Sequence, residues 1–268
     1  MSDAVQRFDV VRVGVNESTA VTDQIAREAP LEVRLDGQPF SVIMRTPGSD
    51  QDLVAGFLFS EGVIARADDV MRMVIVDALN AVNVTLAPGK AAALPEILGT
   101  RRQVTMNSSC GMCGRRTLES LEVTAPPLRA GWAVSAATIG ALPARLRDRQ
   151  DVFGETGGLH AAGLFSRDGR LQFSAEDVGR HNAVDKIIGR MLLTGRLPLT
   201  ETLLLVSGRS SFEIVQKAFL AGIPFIAAVS APSSLAIDLA REAGITLLGF
   251  VRDGRFNIYT HDARVRLD

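Results

Sequence analysis

Residues 202–260 read TLLLVSGRSSFEIVQKAFLAGIPFIAAVSAPSSLAIDLAREAGITLLGFVRDGRFNIYT. Short apolar runs, Leu203–Val206, Phe225–Val229 and Leu247–Phe250, alternate here with the amphipathic segments SSFEIVQKAFLAG and PSSLAIDLAREAG. Strands alternating with helices in this way predict an α/β layer of parallel strands joined by right-handed crossovers. The last pair, 245–251 and 255–260, is expected to form an antiparallel edge hairpin.

Ligands on open α/β sheets bind beyond the carboxyl ends of the strands. Three such ends carry similar residues. Ser207, Gly208, Arg209, Ser210 and Ser211 follow the first run. Ser230, Ala231, Pro232, Ser233 and Ser234 follow the second. Val251, Arg252, Asp253, Gly254 and Arg255 follow the third. Small hydroxyl residues at a helix start offer free N–H groups and a positive dipole end, and two arginines add charge. The set suits a phosphate or pyrophosphate. Ser and Pro are also ordinary helix caps, and at any single loop capping is the commoner role. Three strand ends on one rim favour a ligand.

Upstream, HAAGLFSRDGRLQFSAED (160–177) predicts a hairpin turning at Asp168-Gly169, and DVGRHNAVDKIIGRMLL (177–193) a helix. SAATIGALPARLRDRQ (135–150) predicts a helix capped by Ser135, with Pro143 expected to kink it or shift its start. The first half has another rhythm. PLEVRLDGQPFSVIMRTP (30–47) predicts a hairpin turning at Asp36-Gly37. GSDQDLVAGFLFSEGVI (48–64) predicts a helix capped by Ser49 or Asp50, with Leu53, Phe57 and Leu58 on one apolar face. MRMVIVDALNAVNVTLA (71–87) supplies two more strands. The expected organisation is a smaller N-terminal α+β domain, residues 1–130, and a C-terminal α/β domain, residues 131–268.

Both cysteines of the 268-residue chain, Cys110 and Cys113, stand in MNSSCGMCGRRTL (106–118). The N-terminus has no apolar core for a signal peptide, and no apolar run approaches ~18 residues. A formal net charge of −1 provides no global basic field for nucleic acid. The expectation is therefore a soluble cytoplasmic protein bound to neither membrane nor nucleic acid. In that compartment a Cys-x-x-Cys is catalytic or metal-binding more often than a structural disulfide. Arg115 and Arg116 favour a thiolate, and Gly111 and Gly114 keep the segment open. Zinc is the main competitor, with Cys110, Cys113 and His160 as ligands. A deaminase zinc site needs His-x-Glu and Pro-Cys-x-x-Cys. Here Ala161 and Ala162 follow His160, and Ser109 precedes Cys110. No structural metal is expected. Glu176, Asp177, Arg180, His181 and Asp185 crowd one helix start, with Arg180 and His181 spaced to contact Asp177. His160 and His181 could floor a pocket, or the cluster could be first-turn capping with a surface ion pair.

The stretches MRTPGSDQDLVAGFLFSEGVI, SSCGMCGRRTL, ETGGLHAAGLF, EDVGRHNAVDKIIG, SGRSSFEIVQKA and GFVRDGRFNIYT span almost the whole chain in order. Together they resemble the formate dehydrogenase accessory sulfurtransferase family (FdhD). The resemblance implies a cytidine-deaminase-like layered sheet without the zinc chemistry. It implies transfer of persulfide sulfur from a cysteine desulfurase to a molybdenum or tungsten bis(molybdopterin guanine dinucleotide) cofactor, bound as substrate. That cofactor serves the formate dehydrogenase catalytic subunit. Cys110 maps to the persulfide carrier and Cys113 to an auxiliary thiol. Phe250, Val251, Arg252, Asp253, Gly254 and Arg255 map to the cofactor segment holding the guanine nucleotide part. Ser207, Gly208, Arg209, Ser210, His160 and His181 are further candidates. A homodimer is the expected assembly. The alternative is a non-catalytic molybdenum cofactor chaperone.

Overall fold

The computed structural model describes residues 3–92 and 126–267. In chain order the elements are β1 (Val5–Val13), β2 (Ser18–Ala26), β3 (Ala29–Leu35), β4 (Gln38–Arg45), α1 (Asp50–Ser60), β5 (Val70–Val76), β6 (Ala81–Leu86) and α2 (Pro88–Ala91). After residue 125 come β7 (Val134–Ser135), α3 (Ala136–Arg147), α4 (Asp151–Thr156), β8 (His160–Ser166), β9 (Leu171–Asp177) and α5 (Arg180–Leu193). The chain ends with β10 (Thr202–Val206), α6 (Phe212–Leu220), β11 (Phe225–Ala228), α7 (Ser234–Glu242), β12 (Thr246–Arg252), β13 (Arg255–Ile258) and β14 (Val265–Arg266).

Six strands form one mixed sheet in the order β13-β12-β11-β10-β8-β9. Its centre, β10, β11 and β12, is parallel, and β13 pairs antiparallel with β12 as an edge hairpin. The central runs are continuous rather than alternating because both faces are covered. Leu204, Val206, Ile226, Ala228 and Leu247 pack into a core with α5, α6 and α7. Leu203, Leu205, Phe225, Ala227 and Leu248 pack on the other side with Ile139, Leu142 and Leu146 of α3. This is the expected α/β architecture, and helices on both faces are compatible with deaminase-like layering. Antiparallel β8 enters beside the end of β10, pairing Ala162 with Val206. That places His160 at the same rim as the ends of the parallel strands.

A second sheet, β4-β3-β6-β5, carries its own core against α1. Asp36 and Gly37 both have positive φ, 48° and 81°, the two-residue hairpin turn that Asp-Gly favours. Around α1 the expectation of one apolar face fails. Asp52, Leu53, Val54, Ala55, Gly56, Phe57, Leu58 and Ser60 are all buried, because α1 lies between its own sheet and α5. Ser49 is the N-cap residue but sits at φ 54° and makes no side-chain cap bond, while Asp50 is held by Arg45 at 2.8 Å. Pro143 does not shift the start of α3, which runs from Ala136 with the Ser135 hydroxyl accepting from Thr138 N as expected.

Helices α1 and α5 approach each other closely. A Cβ on Gly56 would stand 1.9 Å from the Asp185 carbonyl oxygen, and one on Gly189 1.8 Å from that of Asp52. Polar groups drawn into the seam are paired. Lys186 Nζ meets Asp177 at 2.7 Å and donates to the Thr46 and Glu176 carbonyls. Asn182 donates to Met44 O and Asp177, and Ser60 to Asp185.

Candidate functional site

The three strand-end loops are laced together along one rim. Ser207 N donates to Ala161 O, and Ala161 N donates to the Ser207 hydroxyl, both at 2.9 Å. Ser233 N donates to Ser210 O at 3.0 Å, tying the second loop to the first. Phe250 N donates to Ser230 O at 3.1 Å, tying the third to the second. A side chain on Gly249 would meet Tyr259, Pro232 and the Ser230 carbonyl at 2.9–3.3 Å, so the close approach needs glycine there.

His160 and Arg180 converge on Gly208: a Cβ there would lie 3.4 Å from His160 Nδ1 and 3.6 Å from Arg180 Cδ. His181 is buried, and its Nε2 stands 3.0 Å from the Ser211 hydroxyl and 3.5 Å from Glu213 Oε2. Burial and then the charge of Arg180 lower the pKa of His160, with Asp177 opposing. Burial, reinforced by Lys217, Arg180 and His160, pushes His181 down to about 3. Both imidazoles are therefore neutral at pH 7 and offer one donor and one acceptor each. Among the described residues, the Ser210 hydroxyl and Arg180 Nε are buried without a hydrogen-bond partner.

The acidic half of the predicted helix-start cluster belongs elsewhere. Asp177 contacts neither Arg180 nor His181 by a hydrogen bond or ion pair; it takes Lys186, Asn182 and the N–H groups of Thr46 and Gly179. Asp185 accepts from Lys217 at 2.8 Å. The Glu176 carboxylate accepts from Val152 N and Phe153 N at the start of α4. Only Arg180 and His181 face the rim.

At the third loop a bulge between Gly249 and Arg252 leaves Phe250 at φ 55° and the residue 38 % exposed. Val251 is fully buried against the α3 core, so it can offer a ligand only its backbone. Asp253 and Gly254, both with positive φ, turn the hairpin. Phe250, Arg252, Asp253, Arg255, Phe256 and Asn257 line an open concavity of about 370 Å³. Arg209 is exposed beside the first loop. Hydroxyls, backbone N–H groups and arginines on a concave surface can bind a phosphorylated ligand, and an exposed aromatic ring can cover a planar base.

Glu213 and Lys217 carry no signal in the sequence beyond an i, i+4 pair, which ordinarily sits on a solvated face. Here Lys217 is buried, 2.8 Å from Asp185 and 3.5 Å from Glu213. Burial works against its charge, but Asp185 and Glu213 more than offset this and raise its pKa. Cys110 and Cys113 lie outside the described residues. Among the described residues no three His, Cys, Asp or Glu side chains are grouped to hold a metal ion, and no helix is long and apolar enough to cross a membrane.

Fold and site define an α/β protein with a polar, arginine-bearing rim at the strand ends. The chain belongs to the FdhD/NarQ family, which matches residues 26–266. It is 47 % identical over 282 residues to the sulfur carrier protein FdhD of Streptomyces avermitilis, covering 100 % of this chain and 98 % of that one. It is 49 % identical over 266 residues to the sulfur carrier protein FdhD of Sulfurisphaera tokodaii, covering 97 % and 99 %. Its structure is similar to a protein from Desulfotalea psychrophila assigned as a formate dehydrogenase accessory protein. The TM-score is 0.79 at 26 % identity, over 98 % of this chain and 100 % of that one.

Proposed function

We propose that this chain is a cytoplasmic sulfurtransferase. It takes persulfide sulfur from a cysteine desulfurase and passes it to a molybdenum or tungsten bis(molybdopterin guanine dinucleotide) cofactor destined for formate dehydrogenase. The Cys110 thiolate attacks the outer sulfur of the donor persulfide. A new S–S bond forms on Cys110 as the donor's S–S bond breaks, and the donor cysteine leaves as a thiolate. The Cys110 S–S bond then breaks. Cys110 returns to the thiolate, and the outer sulfur passes as a neutral atom to the reduced metal of the cofactor, the substrate here, which supplies the two electrons that bring it to the sulfide level. Cys113 is the auxiliary thiol. Phe250 and Arg252–Arg255, with the laced serine loops, hold the guanine nucleotide part, and the active assembly is a homodimer.

Near-full-length identity of 47 % to a sulfur carrier protein carries this reading. The rim geometry supports its cofactor half, since the pyrophosphate of a guanine dinucleotide needs convergent N–H, hydroxyl and guanidinium donors. Intact mass after incubation with a cysteine desulfurase and cysteine tests it. The wild-type chain should gain ~32 Da, one sulfur atom per loaded thiolate, and Cys110→Ala should not. A Cys110→Ala protein that still loads would end the assignment. Cys113→Ala should load, because one thiol suffices to carry the sulfur.

A further inference from the structure

The two Ser-initiated helices at the rim use their serines differently. The Ser233 hydroxyl accepts from Ala236 N at the start of α7, an ordinary N-cap. Ser211 occupies the same position in α6 with extended backbone, yet its hydroxyl makes no cap bond. It meets His181 Nε2 at 3.0 Å instead. The first-turn N–H groups of α6 consequently lack a side-chain partner. Nearby, the Ser210 hydroxyl, in a residue with no solvent exposure, has no partner either among the described residues.

The proton on His181 follows from its neighbours. Glu213 Oε2 stands 3.5 Å from Nε2, and its other oxygen lies 3.5 Å from Lys217 Nζ. Burial raises the Glu213 pKa and Asp185 and Glu61 add to that, with the Lys217 charge opposing; the 3.5 Å ion pair to Lys217 Nζ favours its carboxylate form. An unprotonated Nε2 would set its lone pair against that carboxylate, so Nε2 carries the hydrogen. It donates to Ser211 Oγ. A serine hydroxyl has one hydrogen, and with Oγ accepting from His181 that hydrogen is free to turn outward.

We infer that Ser211 is a hydroxyl donor to a phosphate group bound at the α6 end of the rim, and that His181 is the positioning residue that turns the hydroxyl toward it. The Asp185–Lys217–Glu213 chain fixes His181 in turn, as outer partners fix the orientation of groups that touch a ligand. The inference rests on the nucleotide-binding reading above and names the side chain that meets the phosphate.

Guanosine diphosphate is the probe, titrated by calorimetry into the full-length wild-type protein and four variants. Ser211→Ala should weaken binding about tenfold, as loss of a hydrogen bond to a charged group does. Its melting temperature should fall modestly, because the buried His181 Nε2–H loses its acceptor, so affinity is read where the variant is fully folded. His181→Leu should weaken binding at least ~3-fold, and the double variant should be no worse than about twofold beyond Ser211→Ala, since both remove one interaction. Ser166→Ala, at the end of β8 opposite the rim, should bind normally. The imidazole ¹⁵N spectrum of the wild type, which needs no variant to fold, should show the Nε2–H form. Unchanged affinity in Ser211→Ala, additive losses in the double variant, or an Nδ1–H imidazole would each overturn the inference while leaving the nucleotide site standing. A wild type that does not bind guanosine diphosphate would remove the nucleotide reading and this inference together.

Discussion

The α1–α5 seam and the strand-end rim are both rich in polar side chains, but they satisfy them differently. In the seam Lys186, Asp177, Asn182 and Ser60 are buried and paired with one another or with backbone carbonyls. At the rim the Ser210 hydroxyl and Arg180 Nε are buried and unpaired, the α6 start is uncapped, and Arg252 and Arg255 project into solvent. A buried polar group without a partner costs free energy comparable to a lost hydrogen bond. Among the described residues the Ser41 hydroxyl on β4 is also buried and unpaired, so one unmade bond does not mark a site; two of them beside an uncapped helix start and exposed arginines distinguish the rim.

The sharpest way to break this division is at the helix contact. Gly189→Val would drive a side chain into the Asp52 backbone, with its Cβ alone 1.8 Å from the carbonyl oxygen. Stability to denaturant should fall by more than about 4 kcal/mol, the range of exceptional core disruption. Lys186→Met comes next. It leaves the Asp177 carboxylate buried and uncompensated, which costs ~3–5 kcal/mol. If either variant folds at normal stability yet loses nucleotide binding, the seam is part of the site and the division is wrong.

Acid should act through His181. Its folded pKa is about 3 against 6.5 for the free side chain. The unfolded chain therefore binds the extra proton between those values. Its contribution is complete above pH 6.5 and is lost as the pH falls toward 3, at up to about 1.4 kcal/mol per pH unit. Urea midpoints across that window should show the slope, and His181→Leu should flatten it. A variant with the same slope would assign the effect to other groups.

Rim substitutions should move affinity more than stability. Arg255→Ala should weaken guanosine diphosphate binding by about tenfold, or ~1.4 kcal/mol, with the urea midpoint unchanged because the side chain is exposed. Unchanged affinity would place the nucleotide toward His160 and His181. The smallest effect falls on Ser233→Ala, which loses the α7 cap. It should cost ~1 kcal/mol of stability, read as a lowered urea midpoint.

Much of this was legible along the chain. Apolar runs between amphipathic segments set the parallel centre of the large sheet, because a strand covered on both faces must be apolar throughout. Asp36-Gly37 and Asp253-Gly254 mark hairpins whose two turn residues both take positive φ, and Asp168-Gly169 a hairpin in which the glycine alone does. The serine and arginine loops could be read as one rim because parallel strands place their carboxyl ends on one edge. The family resemblance rests on motifs spread over the whole sequence, and the FdhD/NarQ match bears it out. The roles of Cys110 and Cys113 come from that resemblance.

What no local pattern could reveal is which polar groups end up paired. Glu213 and Lys217 have the spacing of a solvated ion pair, yet α5 packs over them and makes them the support for His181. Ser211 and Ser233 hold equivalent positions in sequence, and only the imidazole arriving from α5 makes one a donor to the rim while the other caps its helix. Val251 sits among the candidate ligand contacts in sequence, but alternation along β12 turns it into the core. Spacing specifies faces within an element. Burial, protonation and hydrogen-bond partners depend on segments far apart in the chain, because desolvation and pairing act only once the elements have packed.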